Sequence, residues 1–397
     1  MDNNEIIAEE IKPVAKKPYY AGIDIVKLIA VFFVVCVHFC LYNGFYYTPL
    51  TEKSALLPIA YRWLVYTCVP LFMISTGYLM KNKKLSRDYY KGLIKIIIIY
   101  AVIGVICLTY QHWRYGTEYK AWDILKSYLQ FNAANYGWYV NYYISLFLII
   151  PFLNLAFNGL ENKKQRALLV VTVFMITSLG KSLFLGFERD NQIRLLPDYI
   201  SGMWPVAYYF VGAYLREHPI KRNIRNKLIV FVLLCGMIVF QTYSTYKHTA
   251  INYSDDNHFT SWHFNDYGSY PVFITATLIF MLFYDITTTN TAVKRIMRII
   301  SGATFGTYLI SYVFDNMFYA TFTTKGGKLM TGFNEIHTEL SDKFLHWYEI
   351  VPKIFILSLA CGITIHTIYD FCEGKIKKMT AKKTVKEENA ENVTISA

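Results

Sequence analysis

Charge is scarce in this chain. Asp, Glu, Lys and Arg make up 17% of its 397 residues, against roughly 25% in ordinary soluble domains, while 54% are hydrophobic and 17% aromatic. No long hydrophilic stretch is present that would fold as a separate soluble domain, so the net charge of +12 does not point to nucleic acid, which requires a basic face on such a domain. Paired cysteine spacings are missing as well. Cys36, Cys40, Cys68, Cys107, Cys235, Cys361 and Cys372 fall almost entirely in apolar segments, which excludes a disulfide framework or a zinc module and leaves them as small core residues. No repeat of fixed short period appears. Residues 1–20 are polar and contain Pro13 and Pro18, so no secretory signal is expected ahead of the first apolar run, which should stay as an anchor.

What the chain does have is apolar runs of about 17–25 residues, the length that crosses a hydrocarbon core of about 30 Å. They fall at 23–43, 56–80, 93–110, 139–158, 167–187, 228–246, 270–287 and 350–371, with a short run at 200–215 and a more polar one at 300–320. Lys and Arg alternate across the intervening segments. One set of segments, which includes both tails, holds 26 of them and the other holds 10. Cytoplasmic segments carry the excess of basic residues, so the expectation is an all-α, polytopic membrane bundle of about ten helices with both termini cytoplasmic. Residues 1–20 are read as a cytoplasmic tail, 21–372 as the membrane domain, and 373–397 as a basic, disordered tail suited to anionic lipid.

The first run, IDIVKLIAVFFVVCVHFCLY (23–42), carries Asp24, Lys27 and His38 inside it. Eleven residues at about 100° each bring His38 to within about 20° of Lys27 around a helix, roughly 16 Å further along the axis. Asp24 lies on the same stripe. Ionisable groups at bilayer depth face a bundle interior or a wet cavity, which makes this face the first functional hypothesis. Orientation by charge puts His38 in the outer half of the helix and Lys27 near its cytoplasmic end. Asp24, three residues before Lys27, is expected to hold it as an ion pair. The longer outer loops, such as QHWRYGTEYKAWD, are rich in Trp and Tyr, as an interfacial belt or a recognition surface would be.

Several phrases resemble the membrane acyltransferase-3 family. Its first helix has a basic residue, ten intervening residues and a histidine, the spacing of Lys27 and His38. VPLFMISTGYL (69–79) is similar to its second-helix phrase. GWYVNYYISLFLIIPFLN (137–154), YYFVGAYL (208–215) and SGATFGTYLISY (301–312) resemble three later ones in the same order. There are departures. Ser311 stands where a histidine often ends the ninth-span phrase, and Val69–Pro70 stands where many members have Val-Asp, so the carboxylate those members use is missing there. The Arg-x-x-Arg element after the second span appears only as KNKKLSRDYYKGLIK, in which Lys84 and Arg87 keep the step and Lys91 and Lys95 follow at helical spacing.

The resemblance implies transfer of an acyl group, usually acetyl, from cytoplasmic acyl-CoA to a hydroxyl of a cell-surface or exported polysaccharide, by an enzyme of the bacterial cytoplasmic membrane. No bound cofactor is implied, acetyl-CoA being a co-substrate. The partners are then acyl-CoA, a glycan acceptor, the lipid bilayer and glycan-assembly proteins. A hydroxyl attacking a thioester needs a base near neutral pH, and imidazole supplies one, so His38 is the catalytic candidate, as base or as carrier of an acyl-imidazole. Lys27 is the candidate for the donor's phosphate or thioester oxygen, and Lys84, Arg87 and Lys91 for the CoA head group, although the positive-inside rule alone also accounts for those three. Trp138 and Tyr139 either stack on a sugar, pack the pocket wall or anchor the fourth span at the interface. His258 and His263, near Asp255, Asp256 and Asp266, lack a tight ligand pattern, so no metal site is expected. Lys181 is read as snorkelling outward. A transporter or flippase of lipid-linked glycan is the alternative, and it lacks recognisable internal repeats.

Overall fold

Backbone N–H and C=O groups at bilayer depth must be paired within the protein, so apolar runs of spanning length are expected to become helices. A computed structural model describes residues 19–50, 52–183, 198–220, 223–251, 266–323 and 329–395. Its first helices are α1 (Ala21–Tyr42), α2 (Leu56–Val65), α3 (Cys68–Met80), α4 (Arg87–Tyr115), α5 (Ala121–Leu129), α6 (Trp138–Asn158) and α7 (Lys163–Phe174). There follow α8 (Gly180–Ser182), α9 (Asp198–Ser201), α10 (Trp204–Glu217), α11 (Ile224–Ile251), α12 (Tyr270–Phe283) and α13 (Thr291–Phe318). The chain ends with α14 (Phe333–Ile336), α15 (Leu340–Leu345) and α16 (Trp347–Ile395). Two short antiparallel strands, β1 (Phe322–Thr323) and β2 (Leu329–Met330), pair between α13 and α14.

A helix stands at each of the ten places that the apolar runs mark. Among the described residues, seven helical stretches are long and apolar enough to cross a membrane: Ala21–Tyr42, Lys53–Met80, Arg87–Tyr115, Trp138–Asn158, Ile224–Lys247, Thr291–Phe318 and Trp347–Met379. α10 and α12 are 14 residues each, and the fifth run divides into α7, a π turn over Met175–Leu179 and α8. α16 runs as one helix to Ile395, through a tail whose composition reads as disordered. Its Lys- and Glu-rich sequence is rich in good helix formers and carries a Glu373–Lys377 pair at 2.8 Å.

Proline shapes two of these helices. The second run breaks at Tyr66–Thr67 because Pro70, in the first turn of α3, has no N–H to give the Tyr66 carbonyl and its ring crowds that carbonyl. Thr67 closes the break by donating its hydroxyl to the Leu64 carbonyl at 2.7 Å. Inside α6, Pro151 deprives the Phe147 carbonyl of its helical donor. The Tyr89 hydroxyl supplies the replacement at 2.6 Å, with its ring stacked on Phe147 at 4.4 Å.

α1 is the hub, with α3, α12, α13 and α16 packed around it. Val26, Ala30, Val31, Val35, Cys36 and Phe39 are buried there, whereas α4 and α11 expose Ile94, Ile97, Val105, Leu228 and Val232, as faces turned to lipid do. Small residues set the tight crossings. A Cβ on Gly77 would meet the Tyr209 carbonyl, and one on Gly212 the Ile74 carbonyl, so α3 and α10 touch backbone to backbone.

The helix ends collect in two layers. In one, the Gly22 amide donates to the Ile286 carbonyl at 2.8 Å, Lys81 pairs with Glu217, and Lys95 with Asp370 at 2.7 Å. In the other, Asn334 Nδ2 donates to the Tyr42 carbonyl at 2.6 Å and Gln111 Nε2 to the Tyr312 hydroxyl at 3.2 Å. Tyr89→Phe is expected to strand the Phe147 carbonyl and lower stability by about 1–3 kcal/mol, read as a lower Tm in detergent. An unchanged Tm would contradict the role given to the hydroxyl.

Candidate active site

The Lys27–His38 face of α1 is turned to α13, and the two helices run in the same direction, so Lys27 and His38 each meet a polar residue of α13. Lys27 Nζ donates to Ser301 Oγ at 2.8 Å. Further along, His38 Nδ1 lies 3.0 Å from Asp315 Oδ2, with His38 nearly buried and Asp315 wholly so. An ionised carboxylate only accepts, so Nδ1 carries the hydrogen and Nε2 is left with its lone pair. Asp315 Oδ2 also accepts from the Tyr136 hydroxyl at 2.7 Å, and the Tyr136 ring lies against the imidazole with centroids 4.0 Å apart. Asn316, next to Asp315, donates to the Tyr42 hydroxyl at 3.0 Å, and that hydroxyl is 3.2 Å from Tyr136's. The imidazole is thereby held in orientation and tautomer by groups from three parts of the chain.

The expected Asp24–Lys27 ion pair is not formed. Asp24, in the first turn of α1, accepts from the Tyr19 hydroxyl, while Lys27 turns inward to Ser301. A three-residue step separates side chains by about 60° around a helix, enough to send these two to different neighbours.

A cavity of about 240 Å³ opens at the Lys27 end, between α1, α3, α4, α6, α13 and α16. Its polar lining includes Lys27, Ser75, Thr76, Lys95, Ser301, Thr304 and His366. Phe72, Tyr139, Tyr143, Phe305 and Tyr308 supply apolar wall. His366 is nearly buried, and its Nε2 has no hydrogen-bond partner among the described residues. Tyr139 and Tyr308, edge to face at 5.6 Å, close the cavity toward His38, and the Tyr308 hydroxyl donates to the Tyr136 carbonyl. A row of tyrosines thus connects the cationic cavity to the imidazole.

Other expected residues fall elsewhere. Trp138 is part-exposed and stacks on Tyr267 at 5.7 Å, away from the cavity lining. Lys84, ahead of α4, and Arg87 and Lys91, in its first turns, are exposed and do not line the cavity, and Lys91 pairs with Asp88 at 2.6 Å. Lys95, one turn beyond Lys91, is the basic residue of that stretch that reaches it. His258, His263, Asp255 and Asp256 lie outside the described residues, as does the Lys181 side chain.

A family model described as an acyltransferase domain matches residues 20–366. The chain belongs to the acyltransferase-3 family. No curated protein and no solved structure matches it. On α13 of this acyltransferase, Ser311 is buried and donates to the Tyr308 carbonyl at 2.8 Å, while Asp315, one turn later, is the carboxylate that meets His38. Asp315 was open to detection as an ionisable residue in an apolar run. His366 carried the same signal in the last run. Ser301 and Tyr136 had none, being common residue types in this composition.

Gly302 lines the cavity, and a Cβ there meets open space. Gly302→Phe should therefore fill the cavity without disturbing the bundle, keeping the parent Tm while acyl transfer falls at least about tenfold, equivalent to about 1.4 kcal/mol. Full transfer by a folded Gly302→Phe protein would place the donor elsewhere.

Proposed function

We propose that this acyltransferase moves an acyl group, acetyl in the first instance, from acyl-CoA at the Lys27 end of α1 to a hydroxyl of a cell-surface or exported polysaccharide at the His38 end. The observation that carries the reading is the buried His38–Asp315 pair, with the Tyr136 ring tilted against the imidazole, at the opposite end of one helical face from a cavity that presents Lys27, Lys95 and a His366 nitrogen unpartnered among the described residues. In this scheme Nε2 of His38 takes the proton of the acceptor hydroxyl as its oxygen attacks the thioester carbonyl. The thiolate leaves and recovers the proton from the imidazolium, whose charge Asp315 steadies meanwhile. The same nitrogen can hold the group as an acyl-imidazole on its way between the two ends. Lys27 and Lys95 give the cavity the positive potential that an anionic donor needs.

We further infer ten spans with both termini in the cytoplasm of a bacterial cell. Two observations support that layout: the 26-to-10 division of Lys and Arg, and the sorting of helix ends into two layers, with α1 and α13 parallel as a first and a ninth span must be. The Lys27 layer then faces acyl-CoA and the His38 layer the envelope.

The test is labelled acetyl-CoA with purified protein in proteoliposomes and an envelope glycan fraction. His38→Ala and Asp315→Asn should each reduce transfer by about 10²-fold or more at unchanged Tm. Lys27→Met should raise the KM for the donor while leaving the bundle intact. Undiminished transfer by folded His38→Ala protein would refute the scheme, and glycan movement without consumption of acyl-CoA would favour a transporter.

A further inference from the structure

At the His38 end of the bundle, α14 and α15 form a small cap over the terminus of α1. Phe333 and Phe344 pack on Phe39 at 5.9 and 5.1 Å. Asn334 donates to the Tyr42 carbonyl, and Lys343 Nζ to that of Asn43 at 3.1 Å. The cap holds a cluster that the catalytic scheme does not use. His337 Nδ1 is 2.7 Å from Asp342 Oδ2, and His346 Nδ1 is 2.9 Å from Asp342 Oδ1, so one carboxylate lies between two imidazoles whose rings stack at 4.5 Å.

We propose that His337, Asp342 and His346 form a zinc(II) site that fastens this cap to α1. Three features carry the assignment. The ligand atoms of the three residues all lie within 4.8 Å of one another, close enough to converge on one ion after small side-chain adjustments. Asp342 in α15 and His346 at its C-cap are four residues apart, and their ligand atoms lie 2.9 Å from each other. The third feature is the far side of His337, whose Nε2 points toward Glu349 Oε2 at 3.6 Å while its Nδ1 faces the cluster. A carboxylate behind a ligating imidazole is the arrangement that fixes ring orientation and raises ligand basicity at metal centres.

Two neutral imidazoles and one carboxylate suit zinc, or another late first-row cation, over magnesium or calcium, which take oxygen ligands. Three protein ligands leave a fourth, tetrahedral position for water. The ion would displace the protons now shared between Asp342 and the imidazoles. Because His337 is nearly buried beneath the cap while Asp342 and His346 reach its surface, the ion would tie cap interior to cap exterior. Asn334 and Lys343 would then be held on the last carbonyls of α1, one turn beyond His38.

The experiment uses the full chain, purified in detergent, stripped with a chelator and titrated with zinc chloride by calorimetry, with Tm followed in parallel. One equivalent should bind, raising Tm and slowing hydrogen exchange over 333–346, and an approximately hundredfold excess of magnesium or calcium should not displace it. His346→Asn alters the more exposed imidazole, so the metal-free protein should keep the parent Tm while zinc affinity falls at least about tenfold. Should that variant lose Tm without metal, Glu349→Gln replaces it, and about tenfold weaker zinc binding is again expected. Absence of stoichiometric binding would overturn the proposal, as would zinc affinity unchanged in a folded variant.

Discussion

An ionisable side chain inside a membrane bundle has to find its partner within the protein, because lipid offers none. α1 carries three such side chains, of which Asp24 finds Tyr19 and α13 answers the other two, Ser301 for Lys27 and Asp315 for His38. The remaining architecture supports that match. α16 backs α13 closely enough that a Cβ on Gly362 would run into Thr307, and α3 and α12 close the other sides of α1. Removing Asp315 would leave a buried imidazole without the group that sets its tautomer, so the interaction that stabilises the pair of helices also defines the chemistry available to the site.

The separation of the two ends of α1 gives the site its logic. Cations gather at one end around a cavity, and an oriented base sits at the other. Between them stand Tyr139, Tyr308 and Tyr136, with the Tyr308 hydroxyl bonded to the Tyr136 carbonyl and the Tyr136 hydroxyl to Asp315. Such a passage suits a flexible chain carrying an uncharged acyl group better than a charged head group, which would be retained at the cationic mouth. The cap is likewise built from α1 outward, with α14 and α15 tied to the end of that helix through the Tyr42 and Asn43 carbonyls.

Much of this was legible in the sequence, and the limits have physical causes. Apolar length is a local property, and every apolar run marks a helix. The break at Tyr66–Thr67 was less visible because it follows from how Pro70 affects one carbonyl inside an unbroken apolar run. Periodicity along α1 correctly put Lys27 and His38 on one face, since that depends on 3.6 residues per turn alone. Their partners depend on which helix packs alongside, and Asp315 is 277 residues from His38. The same reason explains Asp24, which local spacing assigns to Lys27 and which packing gives to Tyr19. The motif singles out Lys84, Arg87 and Lys91, whereas the cavity is reached a turn further on, at Lys95. The cap cluster leaves no mark in the sequence because its residues come from a loop, a helix of six residues and that helix's C-cap, with no spacing that stands out along the chain.

The central claim is that His38 and Asp315 act as one unit. A double-mutant cycle on acyl transfer, comparing kcat/KM for the parent, His38→Ala, Asp315→Asn and the double variant, tests it most directly. A carboxylate that acts only through the imidazole has nothing left to do once the imidazole is gone, so the double variant should be no slower than His38→Ala alone. Losses that simply multiply in the double variant would show two independent contributions and would contradict the account.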